Sequence, residues 1–262
     1  MMFAEERHRL IGDLVGSAGR VSVADLAQQL EITRETVRRD LAQLEQDGLL
    51  RRVHGGAVAN GTTSTAEESL SVRTSLNHAQ KARIADRAVE LLPSGATSVV
   101  LDAGTTTELL AQAMASSLPA TRTADLLVLT HSVPVAYRIS TSSPFQLEVI
   151  GGRVRALTSA AIGTPAIDQF RALRPDIAFI GANGIHAGFG LSTPDPMEAA
   201  VKSAIVACAR RVVLLADSSK LGQETLVRFA GLDQIDALVT DAAPDAELGA
   251  ALDEADVEVV VA

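Results

Sequence analysis

Apolar positions near the start of the chain recur with the period of an α-helix in three successive short stretches. Ser22 stands just before the second stretch and suits a helix N-cap, with Asp25 three residues later. Thr33 has the same place before the third stretch. The pattern therefore predicts three helices, whose buried faces are Leu10, Ile11, Leu14 and Val15, then Val23, Leu26, Ala27 and Leu30, and finally Val37, Leu41 and Leu44.

The third predicted helix has two unlike faces. Its apolar stripe leaves Glu35, Arg38 and Arg39 on the opposite side, close to the capped N-terminus. A basic helix joined to a preceding helix by a tight turn is typical of a helix-turn-helix that enters the DNA major groove. The alternative is an ordinary solvated basic face. Asp40 lies nearer the core side, where we expect it to hold an arginine or the first helix in place.

A short hairpin is predicted directly after these helices. Leu49–Val53 has the pattern of a strand, His54-Gly55-Gly56 that of a turn, and Ala57-Val58 that of a short return strand. This β-wing carries Arg51, Arg52 and His54, which are placed to contact phosphate or the minor groove. With the wing included, DNA binding is the strongest interpretation of the first 58 residues.

The composition changes after the wing. Residues 59–76 are rich in Ser, Thr, Asn and Gly and show no periodic apolar pattern, which is typical of a linker or loop. We therefore predict a DNA-binding domain over residues 1–58, a linker over residues 59–76 and a larger domain over residues 77–262.

Short apolar strands alternate with helices through the remainder of the chain. Such alternation predicts an α/β domain with a largely parallel sheet, and ligands of these sheets bind at the carboxyl ends of the strands. The predicted strands are Ser98–Asp102, Leu126–Thr130, Leu147–Ile150, Ile177–Gly181, Val212–Asp217, Ala237–Thr240 and Val257–Val261. The helices among them include His78–Leu92, Thr105–Ser116, Pro165–Leu173 and Pro196–Ala209.

Polar residues and glycine gather where these strands end. After Asp102, Gly104 is expected to let the backbone turn closely, and Thr105 and Thr106 open a helix. Unpaired N–H groups, the helix dipole and hydroxyls then converge in a way that suits a phosphate. The alternative is an ordinary capped strand-to-helix turn. The segment has no P-loop and no G-x-G-x-x-G run, so a nucleotide is not the first choice of ligand.

Two lysines extend this pattern. Lys202 follows Glu198 by one helical turn, and the simplest interpretation of the pair is a surface salt bridge worth about 0.3–0.5 kcal/mol. Lys220 ends the run Asp217-Ser218-Ser219-Lys220 after a strongly apolar strand, where its ammonium can neutralise a phosphate. The alternative for Lys220 is a solvated loop lysine.

Charge and composition narrow the class of protein. The 262 residues carry a formal net charge of −9, which argues against a protein that coats nucleic acid but permits a small basic surface on an acidic body. Lysine occurs only at positions 81, 202 and 220. No apolar run is long enough to span a bilayer and no signal peptide is evident, so we expect a cytoplasmic protein. The single Cys208 is expected in the core, and no metal or cofactor is expected.

The first 58 residues resemble the DNA-binding module of a known family. The run Thr33-x-x-Thr36-Val37-Arg38-Arg39-Asp40-Leu41, followed by Leu50-Arg51-Arg52-Val53-His54-Gly55-Gly56, resembles the winged helix-turn-helix of the DeoR/GlpR family of bacterial transcriptional regulators. The resemblance implies contacts between this module and operator DNA. The expected DNA-binding residues are Thr33, Arg34, Glu35, Thr36, Arg38, Arg39, Arg51, Arg52, His54 and Gly55.

The larger domain resembles the effector domain of the same family. The resemblance rests on Asp102-x-Gly104-Thr105-Thr106, Gly151-Gly152, Gly181-x-x-Gly184, Glu198-x-x-x-Lys202 and Asp217-x-Ser219-Lys220. It implies a fold similar to ribose-phosphate isomerases and a sensor for a phosphorylated sugar, with a fructose phosphate as our expectation. The expected effector-binding residues are Lys81, Asp102, Gly104, Thr105, Thr106, Gly152, Gly181, Glu198, Lys202 and Lys220.

The sequence thus favours a repressor of sugar-metabolism genes that a phosphorylated sugar releases from DNA. Specific binding usually needs two half-sites, so we expect a homodimer or a higher homo-oligomer. One alternative is an isomerase-like enzyme carrying a DNA-binding module, since Asp102, Glu198 and Lys220 are capable of acid–base chemistry. Similarity of fold does not transfer activity, however. A second alternative, an architectural DNA binder without an effector, is disfavoured by the acidic larger domain.

Overall fold

The computed structural model describes residues 4–18, 20–47, 49–53, 55–59, 67, 69–142 and 145–262. The chain divides into two compact units, residues 1–66 and residues 67–262. Each unit has its own hydrophobic core, and each is described by itself below.

The first unit is a small helical bundle with a three-stranded antiparallel sheet. The strands lie in the order β1-β3-β2, so β3 is central. Ile11, Val23, Val37, Leu41 and Leu50 meet in one core. The elements are α1 (Ala4–Ala18), β1 (Arg20–Ser22), α2 (Val23–Gln29), α3 (Arg34–Gln46), β2 (Leu50–Val53) and β3 (Gly56–Ala59).

Both predicted N-caps are present in this unit. The hydroxyl of Ser22 accepts from the N–H of Asp25 at 3.0 Å, and that of Thr33 accepts from the N–H of Thr36 at 3.1 Å. The sequence analysis missed β1, because its three residues are strand only through pairing with β3. Each cap satisfies an N–H group that has no partner within its own helix.

The second unit is an α/β domain, as predicted. Its helices are α4 (Leu70–Ser75), α5 (His78–Val89), α6 (Thr105–Ser117), α7 (Ala120–Asp125), α8 (Val133–Ser142), α9 (Thr164–Arg171), α10 (Pro196–Cys208) and α11 (Ala246–Glu254), with 3-10 turns at Ser218–Lys220 and Leu232–Gln234. Its strands are β4 (Ser98–Leu101), β5 (Leu127–Thr130), β6 (Gln146–Val149), β7 (Arg153–Arg155), β8 (Ala160–Ile162), β9 (Ile177–Gly181), β10 (Gly184–His186), β11 (Gly190–Thr193), β12 (Val212–Leu215), β13 (Val227–Ala230), β14 (Ala237–Thr240) and β15 (Glu258–Val261).

Seven parallel strands form the central sheet, in the order β15-β14-β12-β9-β4-β5-β6. Successive residues of a strand face opposite sides, so Val99 and Leu101 join one core cluster and Val100 joins the other. Helices α5, α6 and α8 contribute to the first cluster, and α9, α10 and α11 to the second. Burial on both faces explains why the strands were visible as continuous apolar runs.

The chain reverses its direction across the sheet at β4. From β4 it continues through β5 to β6 at one edge, and β9 then returns to the other side of β4. The carboxyl ends of β4 and β9, here called the crevice, are therefore the switch point of the topology, which is where α/β sheets of this kind bind ligands.

Part of the predicted linker is ordered secondary structure. Residues 70–75 form α4, whose first N–H, on Leu70, donates to the carbonyl of Leu157 at 3.1 Å. The prediction of a linker over all of residues 59–76 is therefore wrong for this segment, because a six-residue helix is too short to show a period. Two small sheets were also missed, the pair β7-β8 and the sheet β10-β11-β13.

Candidate functional site

The outer face of α3 carries the residues expected to contact DNA. Thr33, Arg34, Glu35, Arg38 and Arg39 are exposed, Thr36 is half-buried, and the apolar positions of the same helix face the core. Arg38 and Glu35 form an ion pair at 3.6 Å between exposed side chains. Such a pair is weak in water, so a phosphate or a base edge can replace Glu35 as the partner of Arg38.

Asp40 fastens the inner face of α3 to α1. Its oxygens accept from Arg7 Nε at 2.5 Å and Arg7 Nη2 at 2.8 Å, and His8 Nε2 lies 2.9 Å away. Burial alone would raise the pKa of Asp40, but the hydrogen bonds and charges of Arg7 and His8 outweigh it and lower the pKa. The structure therefore has Asp40 in the position-holding role that the sequence indicated.

The wing is fixed by two glycines in its turn. Gly55 has φ +76°, a left-handed conformation that favours glycine, and its carbonyl accepts from the N–H of Val23 at 2.7 Å. A Cβ at Gly56 would lie 2.0 Å from the carbonyl oxygen of Val21, because β1 and β3 pair closely there. Gly55 thus has a backbone-shaping place in the turn.

Of the two wing arginines, the structure describes the side chain of Arg52 but not that of Arg51. Arg52 is exposed, and its N–H donates to Glu45 Oε1 at 2.7 Å, which ties β2 to the end of α3. Arg51 lies in β2, but its side chain is outside the described residues, and so is His54. The predicted DNA contacts of these two residues stay predictions.

Asp102 lies at the centre of the crevice between β4 and β9. Its side chain is fully buried and accepts from the N–H of Gly181 at 3.0 Å and from Lys202 Nζ. The third partner is His131, whose Nε2 lies 2.9 Å from Asp102 Oδ1. Burial alone would raise the pKa of Asp102, but Lys202 and His131 together hold it well below its usual range.

Lys202 reaches this crevice from the second turn of α10. Its ammonium also donates to the carbonyl of Gly181 at 2.9 Å and lies 5.6 Å from the centre of the Phe229 ring. The interpretation of Lys202 and Glu198 as a surface salt bridge is wrong, because both side chains are buried and each has other partners. A lysine in such a place needs a partner charge, which Asp102 supplies.

His131 was missed by the sequence analysis. Its Nδ1 lies 2.8 Å from the carbonyl oxygen of Ala161, so this nitrogen carries a proton, and its ring meets the ring of Phe170 edge-on. The residue joins the ends of β4, β5 and β8. His131 follows β5 as Asp102 follows β4, and this shared place at the carboxyl end of adjacent strands is the feature that points to it.

The N-terminus of α6 opens beside Asp102. Among the described residues, no acceptor is bonded to the N–H groups of Thr105, Thr106 and Thr107. Thr107 Oγ1 instead donates to the carbonyls of Asp102 at 2.7 Å and Gly104 at 2.9 Å, which locks the turn. Gly104 is extended, with φ 166°, so the expectation that a close turn requires glycine there is not met.

Glu198 faces a different set of partners. Its Oε1 accepts from Arg155 Nη1 at 3.2 Å and from the hydroxyl of Thr158. Arg155 Nη1 also lies 2.7 Å from Glu67 Oε2, and Arg155 Nε lies 3.2 Å from Asp195 Oδ2. Glu198 is therefore part of a charge cluster one turn away from Lys202 rather than a group directed at the Asp102 crevice.

Lys81 and Lys220 lie on segments next to the crevice. Lys81 is buried in α5, and its ammonium donates to the carbonyl of Arg73 at 2.6 Å. Lys220 is half-buried in the 3-10 turn after β12, the strand beside β9. Asn77, at the start of α5, donates to Asp217 Oδ1 at 3.0 Å and so joins these two segments.

Two predicted glycines have different places. Gly181 ends β9 and supplies both the N–H that reaches Asp102 and the carbonyl that reaches Lys202. Gly152 follows β6, and a Cβ there would lie 2.8 Å from the carbonyl oxygen of Ile162. Gly152 thus serves the close packing of the chain against β8.

In the described residues no helix is long and apolar enough to cross a membrane. The same residues contain no group of three His, Cys, Asp or Glu side chains that could hold a metal ion. Cys208 is buried, and burial raises the pKa of its thiol to about 11.

Known family models match both units of the chain. Residues 7–63 match the family model of the DeoR-like helix-turn-helix domain, and residues 76–242 match that of the DeoR C terminal sensor domain. The fold and its two sites define a transcriptional regulator with a DNA-binding module and a sensor domain. The chain belongs to the DeoR family.

Relatives match along nearly the whole chain. The HTH-type transcriptional regulator GlpR of Haloferax volcanii is 37% identical over 99% of this chain and 98% of its own length. The glycerol-3-phosphate regulon repressor of Escherichia coli is 31% identical over 91% of both chains. Ribose 5-phosphate isomerase A of Methanocaldococcus jannaschii is similar over 55% of both chains, with 19% identity and a TM-score of 0.41.

Proposed function

We propose that this regulator represses sugar-metabolism genes in the cytoplasm until a phosphorylated sugar binds its second unit. Residues 1–58 bind operator DNA in this proposal, and the second unit, residues 67–262, binds the effector and forms a homodimer or higher homo-oligomer. The names of the relatives, among them a lactose phosphotransferase system repressor of Streptococcus mutans at 33% identity over 94% of this chain and 96% of its own length, support the choice of genes.

The N-terminus of α6 carries the proposal for the effector. Three adjacent N–H groups without partners among the described residues end at the carboxyl edge of the sheet, where the helix dipole favours an anion. The hydroxyls of Thr105 and Thr106 add donors, and Lys220 supplies a positive charge near the neighbouring strand end. N–H groups, hydroxyls and an ammonium are all donors that a phosphate can accept from.

The buried network behind this turn supports a binding site more than a catalytic one. A general base needs a carboxylate that takes up a proton near neutral pH. Asp102 instead has its oxygens on Lys202, His131 and the N–H of Gly181, and its pKa is lowered. Glu198 is likewise engaged by Arg155 and Thr158. An isomerase activity is therefore disfavoured.

The proposed switch is a shift between two arrangements of the oligomer. One arrangement holds two recognition helices at the spacing of two half-sites, and the effector binds the other arrangement more tightly. A tenfold loss of operator affinity requires a preference of about 1.4 kcal/mol for the second arrangement. We propose a fructose phosphate as the effector and glycerol 3-phosphate as the first comparison.

Thermal unfolding of the whole protein tests the effector class. The panel contains fructose 1-phosphate, fructose 6-phosphate, glycerol 3-phosphate and the unphosphorylated form of each. A ligand present at 100 times its Kd stabilises the folded state by about 2.7 kcal/mol, which raises Tm measurably. We expect one phosphorylated compound to raise Tm and its unphosphorylated form to leave it unchanged.

The same compound should then weaken binding to operator DNA in a mobility-shift titration. Equal shifts with phosphorylated and unphosphorylated sugars would contradict the phosphate site. A rise in Tm without any change in operator affinity would contradict induction but leave the binding site standing.

A further inference from the structure

The first residues of the second unit are held against the residues of α10 and α5. Glu67 is the first residue of that unit, and only residues 60–66 separate it from Ala59, the last residue of the wing. Any displacement of Glu67 therefore moves the point from which the DNA-binding unit is tethered.

Arg155 holds Glu67 and α10 with one guanidinium group. Its Nη1 contacts Glu67 Oε2 at 2.7 Å and Glu198 Oε1 at 3.2 Å, and its Nε contacts Asp195 Oδ2 at 3.2 Å. Asp195 caps α10 by accepting from the N–H groups of Met197 and Glu198. Arg155 thus binds the start of α10 and the residue after the linker at the same time.

Glu67 is attached by ion pairs to two arginines. Its carboxylate is almost completely buried, and its oxygens lie 2.7 Å from Arg155 Nη1 and 3.5 Å from Arg73 Nη1. Burial first and the charge of Glu198 second raise the pKa of Glu67. Three carboxylates share two arginines here, Arg155 and Arg73, so one negative charge is in excess.

The same helix reaches the effector site. Glu198 and Lys202 are one turn apart on α10. The ammonium of Lys202 donates to Asp102 and to the carbonyl of Gly181 in the crevice beside the N-terminus of α6. An anion bound in that crevice attracts the ammonium of Lys202 and so pulls on the first two turns of α10. Those turns are the part of the helix that Arg155 holds.

A second connection runs through α4. The ammonium of Lys81 donates to the carbonyl of Arg73 at 2.6 Å, and Arg73 Nη1 lies 3.5 Å from Glu67 Oε1. Lys81 belongs to the segment that Asn77 joins to the turn carrying Lys220. Glu67 and α4 are therefore tied to both sides of the proposed effector site.

We propose that Arg155 is a positioning residue that transmits occupancy of the effector site to the DNA-binding unit, by exchanging its contact with Glu67 when α10 moves. This inference rests on the proposed function, because it concerns the regulation of that same site. Arg155 is not required to touch the effector.

The test is Glu67→Gln in the full-length protein, with Glu258→Gln as the matched control. Glu258 pairs with Arg211 at 3.3 Å on β15, an edge strand of the same unit that is separated from β9 by β14 and β12. Glu67→Gln removes the excess charge and is expected to fold. Arg155→Lys is the second variant, since an ammonium keeps the charge but cannot span three carboxylates.

The measured quantity is the ratio of operator Kd with and without a saturating compound from fructose 1-phosphate, fructose 6-phosphate and glycerol 3-phosphate. Coupling of this kind typically gives ratios of about 5–150. In Glu67→Gln and Arg155→Lys we expect the ratio to fall close to one, while the affinity for the compound itself is unchanged. Glu258→Gln should keep the wild-type ratio.

The outcomes distinguish a failure of the role of Arg155 from a failure of the proposed function. A wild-type ratio that varies with the compound, together with the same ratio in Glu67→Gln and Arg155→Lys, would overturn the role of Arg155 and leave the proposed function intact. Loss of affinity for the compound in both variants would likewise overturn it, because Arg155 would then belong to the binding site. A wild-type ratio of one for every compound would remove the proposed function, and the role of Arg155 with it.

Discussion

Asp102 keeps its negative charge in a place without contact with water. The charge is balanced by the ammonium of Lys202. The carboxylate oxygens also contact His131 and the N–H of Gly181. Removing one partner of a buried pair leaves the other charge uncompensated, which typically costs about 3–5 kcal/mol. The charges of the crevice are therefore interdependent.

Asp102→Asn should be less stable than the wild type at pH 7, by about 3–5 kcal/mol, because Lys202 loses its counter-charge. The pKa of Asp102 is depressed in the folded protein, so its stabilisation is complete above the unfolded-state pKa of about 3.9 and is lost as pH falls through the folded pKa. The difference between wild type and variant should accordingly shrink as the pH is lowered below about 4.

Urea unfolding followed by far-ultraviolet circular dichroism measures this difference. The chain has no tryptophan and its one tyrosine, Tyr137, is exposed, so loss of helix and strand is the better signal. Asp168→Asn, which changes an exposed carboxylate paired with Arg171 at 3.4 Å, is the control. A difference that stays constant from pH 7 to about pH 3 would show that the charge of Asp102 is not what stabilises the crevice.

Some residues of the crevice were expected from the sequence and others were not. Asp102 and Gly181 were expected near one another because strand ends share an edge of the sheet, whereas Lys202, on a helix, was expected there only through the resemblance to the family's effector domain. His131 and Arg155 were not expected, because their partners lie 29 and 43 positions away in the chain, at Asp102 and Glu198. The place of His131 directly after β5 is the one local signal for the histidine, and Arg155 has none that distinguishes it from an ordinary surface residue.

At the scale of elements, the proposed phosphate site depends on the N-terminus of α6. Its N-cap is Gly104, which supplies no side chain to the first turn. A carboxylate placed at an N-cap accepts from those N–H groups and stabilises the helix, relative to glycine, by a few tenths of a kcal/mol. The same carboxylate occupies the position that a phosphate would take.

Gly104→Asp should therefore lose the binding of the phosphorylated sugar while its Tm stays equal or rises. Gly104→Ala is the matched control, because a Cβ there would meet only Thr107 Oγ1, at 3.4 Å, and the backbone is extended. Isothermal titration with fructose 1-phosphate, fructose 6-phosphate and glycerol 3-phosphate compares the two. Equal binding by both variants would place the phosphate elsewhere.

The elements differ in how well the sequence predicted them. The strands β9 and β14 were predicted at their observed bounds, Ile177–Gly181 and Ala237–Thr240, because burial on both faces leaves an uninterrupted apolar run. The short elements β1 and α4 were not, since Arg20–Ser22 and Leu70–Ser75 gain their structure from a partner strand or a neighbouring hairpin. Local periodicity has no information about partners of that kind.

At the scale of the whole molecule, an acidic protein has to bind a polyanion. The net charge is −9, whereas the exposed face of α3 carries Arg34, Arg38 and Arg39. One such module contacts few phosphates, and the remainder of the chain opposes the approach to DNA. Two linked modules raise the overall affinity because the second binding event becomes intramolecular.

Operator affinity should therefore depend on the spacing of the two half-sites. Moving one half-site by about 5 base pairs places it on the opposite side of the duplex, since one helical turn is about 10–10.5 base pairs. We expect a loss of about 10²-fold or more, and recovery when the spacing is lengthened by a further half turn. Mobility-shift titrations with the full-length protein measure this. Affinity that is insensitive to spacing would mean that a single module is sufficient.

All three lysines lie in the second unit, at Lys81, Lys202 and Lys220, and the described DNA-binding face carries its positive charge on arginine. Acetylation removes the charge of lysine but does not act on arginine. If the proposed sites are right, acetyl donors that modify exposed amines would therefore act on effector binding and leave the arginines of α3 unchanged. Of the three, Lys220 is the most accessible to such a reagent, since Lys81 and Lys202 are buried.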